Sequence, residues 1–243
     1  MGWSAAFLGK LDLKTRLKYA SFLIVVATAL RADVPVVELI DIPTAEVVDH
    51  YGVNSSFRFY SGGGVLTKAA FGVLPRLDVG FGLDAQQFIG NRSIDLNRPT
   101  LNMKLRAYDG SRNLPALALG YDGQGYFFNK HTDKYDEREK GLYAVGSGEI
   151  IVRGLSLHGG LNIYDFNNDR TYGFAGLQYL FHDVVGVIFE SDNMFYRPQD
   201  IRFNLGGRYY VTPSFSLDLA GRDLWAGGRP AERIIRIVYS ASF

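Results

Sequence analysis

The sequence predicts an all-β fold: a closed antiparallel transmembrane β-barrel of about 12 strands, preceded by a signal peptide and a short periplasmic lead-in. Three observations carry that prediction. Residues 231–243 (AERIIRIVYSASF) place Ile235, Ile237, Tyr239, Ala241 and Phe243 on one parity and Ile234, Arg236, Val238, Ser240 and Ser242 on the other. This is the period of a strand with one apolar and one mostly polar face. From Tyr51 onward, strand-like segments of about ten residues recur between turn signals. The connections between them alternate short and long, as in outer-membrane barrels, whose periplasmic turns are short.

Taken in order, the chain opens with Lys10, Lys14, Arg16 and Lys18 ahead of the apolar run 19–30 (YASFLIVVATAL). That run is too short to span a bilayer, which needs roughly 20 residues, and it fits the n-region and h-region of a signal peptide ending within 1–32, after Ala29 or Ala32. Residues 33–50 (DVPVVELIDIPTAEVVDH) have no clean period, and Pro35 and Pro43 break any long element. They read as a periplasmic N-terminal segment, folding at most against the lower mouth of a barrel formed by 51–243. Strands are expected at 51–60, 64–74, 77–89, 99–109, 115–128, 140–151, 155–165, 171–181, 184–193, 200–211, 214–223 and 231–243.

Pro75-Arg76, Arg153-Gly154, His182-Asp183 and Thr212-Pro213 supply short turns, whereas 90–98 and 129–139 supply long polar loops. An even count leaves both barrel ends in the periplasm. A soluble sandwich also alternates, but it would need a very large dry core with every charge outside. A greasy strand edge at a terminus aggregates in water unless the sheet closes and lipid covers it. The C-terminal pattern resembles the insertion signal of bacterial outer-membrane barrels, which makes Tyr239 and Phe243 the residues offered to the barrel-assembly machinery.

Composition agrees. Phe (17) and Tyr (15) far outnumber Trp (2), beside 28 Gly, a mix suited to strands, tight turns and aromatic girdles. The net charge of +1 has no separated basic face, which argues against nucleic-acid binding. The absence of cysteine excludes disulfides and thiolate metal sites.

If the apolar parity meets lipid, the other parity lines the lumen. It carries Arg58, Lys68, Lys104, Arg106, Arg202, Arg208, Arg222 and Arg236 against Asp78, Asp84, Asp122, Glu149, Glu190, Asp192 and Asp218, with His158 among them. Opposite charges on neighbouring strands attract by roughly 0.2–1 kcal/mol per pair. Such ladders either fill the interior or line a polar conduit, and about 12 strands fall between filled and open barrels. Catalytic signatures are scarce: no GxSxG, GxGxxG or P-loop pattern occurs, and the four His lack metal-ligand spacing. Ser156, His158 and Asn162 share a strand face, but Ser and His two positions apart do not reach each other, so they read as lumen lining. The acidic residues of 129–139 alternate with Lys and Arg, which marks a solvated surface loop. Trp225 reads as an interfacial anchor. The expected chemistry is therefore non-enzymatic, with no cofactor and no metal.

Residues 39–47 (LIDIPTAEV), 141–145 (GLYAV) and 173–177 (GFAGL) resemble the YjbH-like barrels, outer-membrane proteins associated with exopolysaccharide and capsule production. The resemblance implies a component of polysaccharide export or assembly, with a sugar chain and other envelope proteins as partners beside the outer-membrane lipids. The alternative is a small general diffusion channel for hydrophilic solutes.

Overall fold

Alternating side chains become alternating burial. The computed structural model describes residues 35–91, 93–150, 152–164, 170–195, 201–225 and 230–243; the expected signal peptide, 1–32, lies outside them. Among the described residues the strands are β1 (Gly52–Tyr60), β2 (Gly64–Leu74), β3 (Leu77–Gln86), β4 (Asp95–Leu96), β5 (Thr100–Tyr108), β6 (Ala116–Asp122), β7 (Tyr126–Asn129), β8 (Lys134–Glu137), β9 (Gly141–Glu149), β10 (Leu155–Ile163), β11 (Tyr172–Phe181), β12 (Val185–Met194), β13 (Arg202–Thr212), β14 (Phe215–Arg222) and β15 (Glu232–Ser242).

β15 pairs antiparallel with β1, and the ladder runs round the ring until β3 meets β2. Setting aside β4, a two-residue addition to β3, and the separate β7–β8 hairpin, 12 strands close the barrel. Closure leaves no unpaired edge, as a sheet in lipid requires. The boundaries follow the expected segments closely except at 115–128. There β6 stops at Asp122, and Tyr126–Asn129 pairs with β8 instead. A Cβ on Gly125 would lie 2.5 Å from the Tyr135 ring, so the chain turns where only glycine fits.

Short turns collect at the end that holds both barrel termini. One of them, between β11 and β12, has His182 and Asp183 at positive φ and a Val184 N–H to Phe181 O bond of 3.0 Å, a type I′ turn that matches strand twist. On the outside, Leu101, Leu119, Leu161, Leu219, Ile235 and Tyr239 are exposed, while Ile234, Arg236 and Ser240 of β15 are buried. An apolar exterior this extensive around a closed ring is covered by bilayer, and the protein is an outer-membrane barrel.

The interior differs from a purely polar conduit. Ala116, Ala118, Tyr143, Val145, Phe174, Ile188 and Ile234 face inward and pack with Leu39, Ile40, Ile42 and Ala45. The segment expected in the periplasm is therefore inside the barrel. Its apolar side chains find an apolar sector of the inner wall, and its acids find the cations.

Candidate functional site

The site is the bore and the hairpin that fills it. Residues 35–48 form a narrow loop, with Thr44 N–H bonded to Val37 O at 3.2 Å and Leu39 N–H to Ile42 O at 2.9 Å. The loop rises from the short-turn end, where Tyr51 N–H meets Gly72 O at 2.9 Å and Ser242 Oγ meets Asp49 Oδ2 at 3.2 Å. A Cβ at Gly72 would collide with Asp49 O, so this glycine is what allows the chain to cross the barrel rim.

At the tip, the Glu190 carboxylate accepts the N–H groups of Ile40 (3.0 Å), Asp41 (2.8 Å) and Ile42 (3.4 Å), together with Asn204 Nδ2 at 2.7 Å. Glu190 and Asn204 are wholly buried, so they satisfy in the lumen the backbone donors that a turn leaves open. Asp41 reaches the opposite wall, where Arg58 lies at 2.5 Å and Arg222 also pairs with it. Burial opposes the charge on Asp41, but Arg222 and Arg58 outweigh it and hold the carboxyl well below the ordinary range. Glu38 is likewise lowered: burial is overcome by Lys68 (3.2 Å) and Arg236 (2.6 Å).

Lower down, Lys104 donates to Val37 O (2.7 Å) and Glu46 O (2.8 Å), and Arg106 pairs with Glu46 at 2.9 Å. Asp78 accepts Val48 N–H at 3.1 Å. On the apolar side the wall thins to glycine. A Cβ on Gly176 would sit 2.6 Å from Ile42 Cδ1 and 2.7 Å from Leu39 Cδ1, and both residues are 0% exposed.

A second hairpin, β7–β8, reaches into the bore. Tyr126 of β7 places its hydroxyl 2.6 Å from Arg58 and 3.2 Å from Asp41, with the Arg58 and Arg222 guanidiniums each 4.4 Å from its ring centre. Glu137 of β8 pairs with Arg202 at 3.0 Å and with Arg222. Tyr126, from the segment expected to be a strand, and Glu137, from the stretch expected to be a solvated loop, therefore both turn into the bore. The cause is the cluster of buried arginines, which draws the loop's acid inward. The two hairpins meet where Asp41 touches Tyr126.

Most of the expected lining residues face inward, but their partners differ from simple strand-to-strand pairing. Asp218 does bridge its neighbours, with Arg208 at 2.8 Å and Arg236 at 2.6 Å. Asp192 sits opposite Arg202 in register, yet it pairs with Lys140 at 2.7 Å. Lys68 takes Asp122 at 2.9 Å rather than Asp78 or Asp84, and Asp84 instead holds Tyr60 and Asn97 at 2.5 and 2.7 Å. Glu149 does not line the lumen: it is exposed at the end of β9 and accepts the Gly154 N–H of the adjoining turn.

His158 and Asn162 are buried but do not form a set with Ser156. His158 Nδ1 lies 2.8 Å from Ser147 Oγ, which also accepts Ala45 N–H at 2.8 Å, and Asn162 donates to Lys140 O. No described carboxylate bonds His158 Nε2. This is a clamp on the plug with no third catalytic partner. Tyr239 and Phe243 are exposed on the lipid side, and Trp225 is exposed with its ring centre 6.0 Å from that of Phe203. Sequence reasoning missed Glu38, Asp41, Glu46, Tyr126, Glu137 and Ser147. The signal that could have found the plug was acids interleaved with Val, Leu and Ile in a segment without a period.

No protein-family model matches the chain, and neither does any curated protein. Among solved structures, a KdgM porin aligns with a TM-score of 0.51 at 9% identity, covering 79% of this chain and 99% of that one. A KdgM porin in complex with disordered oligogalacturonate gives 0.50 at 10% identity with the same coverage. A Rhodopseudomonas blastica porin triple mutant reaches 0.37 at 6% identity, over 73% and 55% of the two chains. At these identities the KdgM likeness establishes the barrel fold alone.

Proposed function

We propose that the protein is an outer-membrane channel for hydrophilic solutes, closed at rest by its own N-terminal hairpin. One observation carries the reading: the bore is occupied by a segment that is not part of the barrel wall, whereas a structural barrel of smaller girth is filled by its wall side chains. Around that segment stand ionic groups of both signs, a lining that favours polar solutes without a strong bias toward one sign of small ion. The porin-like fold supports the same reading. It involves no bond-making chemistry, and transport requires only that the plug leave or shift.

A narrower reading, export or passage of a sugar chain, is favoured by the resemblance to YjbH-like proteins and by a porin of this fold having been found with an oligogalacturonate. It is tested by deleting the gene and measuring secreted polysaccharide, and an unchanged yield counts against it. The channel itself is tested in planar bilayers. Protein lacking residues 35–48 is expected to conduct steadily and the full chain only rarely. A silent deletion variant, folded by its heat-modifiable gel migration, would end the channel reading.

A further inference from the structure

Arg58 of β1 and Arg236 of β15 are direct cross-strand partners, both buried and both facing the bore. Like charges in that position repel, and a buried charge without a counterion is costly. Among the described residues, no wall carboxylate lies within ion-pair distance of Arg58; its acid is Asp41 of the plug, at 2.5 Å. Arg236 shares Asp218 with Arg208 and takes Glu38 of the plug at 2.6 Å. Lys68, on the strand beyond β1, takes the other oxygen of Glu38 at 3.2 Å. The plug adds carbonyl oxygens, with Ile40 O 3.2 Å from Arg58 Nη1 and also 3.2 Å from Arg236 Nη1. Arg58 still has Nε and Nη2 without a hydrogen-bond partner although only 2% of the residue is exposed. The wall thus holds more donors than the plug satisfies.

We infer that Arg236, Arg58 and Lys68 form a binding track for a linear carboxylated oligosaccharide, and that Glu38 and Asp41 occupy it as the ligand's stand-ins. A sugar acid offers the same groups as the plug: spaced carboxylates with neutral oxygens between them. Such a solute competes for the cations that hold the plug, so its binding opens the channel, whereas a neutral sugar of equal length finds no such exchange. The inference rests on the channel reading above.

The test uses the full chain. Because the protein has no cysteine, Val48→Cys puts a single thiol at a plug position that is 2% exposed, and its maleimide labelling rate reports plug departure. An alginate oligomer is expected to raise that rate severalfold, whereas a malto-oligosaccharide of equal length, or sodium chloride at matched ionic strength, leaves it unchanged. With Arg58→Gln added, basal labelling is faster and alginate adds nothing; Arg58→Lys keeps the response. Equal acceleration by salt or by the neutral sugar, or no response to alginate, overturns the proposal. If the plug-deleted protein conducts while alginate leaves labelling untouched, the track fails and the channel stands. If that protein is silent, the channel reading fails independently of the labelling.

Discussion

Glu190 has the most to lose of any single residue. Its carboxylate is the shared acceptor for three consecutive plug amides and for Asn204. Glu190→Ala leaves those buried donors unmatched, at about 1–3 kcal/mol each where water does not replace the acceptor. Even one such loss shifts the plugged-to-open ratio by about fivefold to a hundredfold. Single-channel recording is expected to show a corresponding rise in open time, with the barrel still folded by heat-modifiable migration. Asp41 and Glu38 set the response to pH. Their carboxyls are held below the ordinary value of about 4 only while the plug is seated between Arg58, Arg222, Lys68 and Arg236. Seating is therefore favoured at every pH above the free value and weakens as pH falls through the lowered ones. Single-channel open probability should stay low at neutral pH and rise as pH falls below about 4. Asp41→Asn should open more often at neutral pH and flatten that rise, and an unchanged profile would refute the assignment. Residues whose role follows from strand parity, such as Arg236 and Asp218, were legible in the sequence, because period two decides which way they point. Asp41 was not, since its partners come from β1, β14 and the outer loop, and only closure of the ring brings those together.

Among elements, the barrel strands and the two hairpins follow different rules. A strand announces itself through alternation, so β13 and β15 were readable almost to the residue. The plug shows no alternation because its environment changes sharply from side to side. Leu39 and Ile42 meet Gly176, while Glu38 and Asp41 meet arginine on the other side. Gly176 isolates the apolar half of that fit. Gly176→Phe fills the space that Leu39 and Ile42 occupy, so the plug should be driven out with its charge network intact in sequence. Conductance near that of the plug-deleted protein is the expected reading, and a plug that stays closed would show that its apolar side contributes little. The β7–β8 hairpin was hidden for a related reason. Its Lys and Arg residues imply solvent, yet Glu137 is drawn inward by Arg202 and Arg222.

For the whole molecule, twelve strands fall between barrels that wall side chains fill and barrels that stand open, and in this one residues 35–48 occupy the interior. The outer face was legible because lipid imposes one rule on every strand, apolar outward. The inner face was only half legible, because the composition of a lumen depends on what occupies it. An apolar sector made of Ala118, Val145, Phe174 and Ile188 makes sense only beside the plug. A cross-link reports most directly whether residues 35–48 sit inside the bore. Ala45 N–H and Ser147 Oγ are 2.8 Å apart, so Ala45→Cys with Ser147→Cys, oxidised in native outer membranes, should form one intramolecular disulfide in a folded barrel that no longer opens. Two freely alkylated thiols and no bridge would place the segment outside the bore.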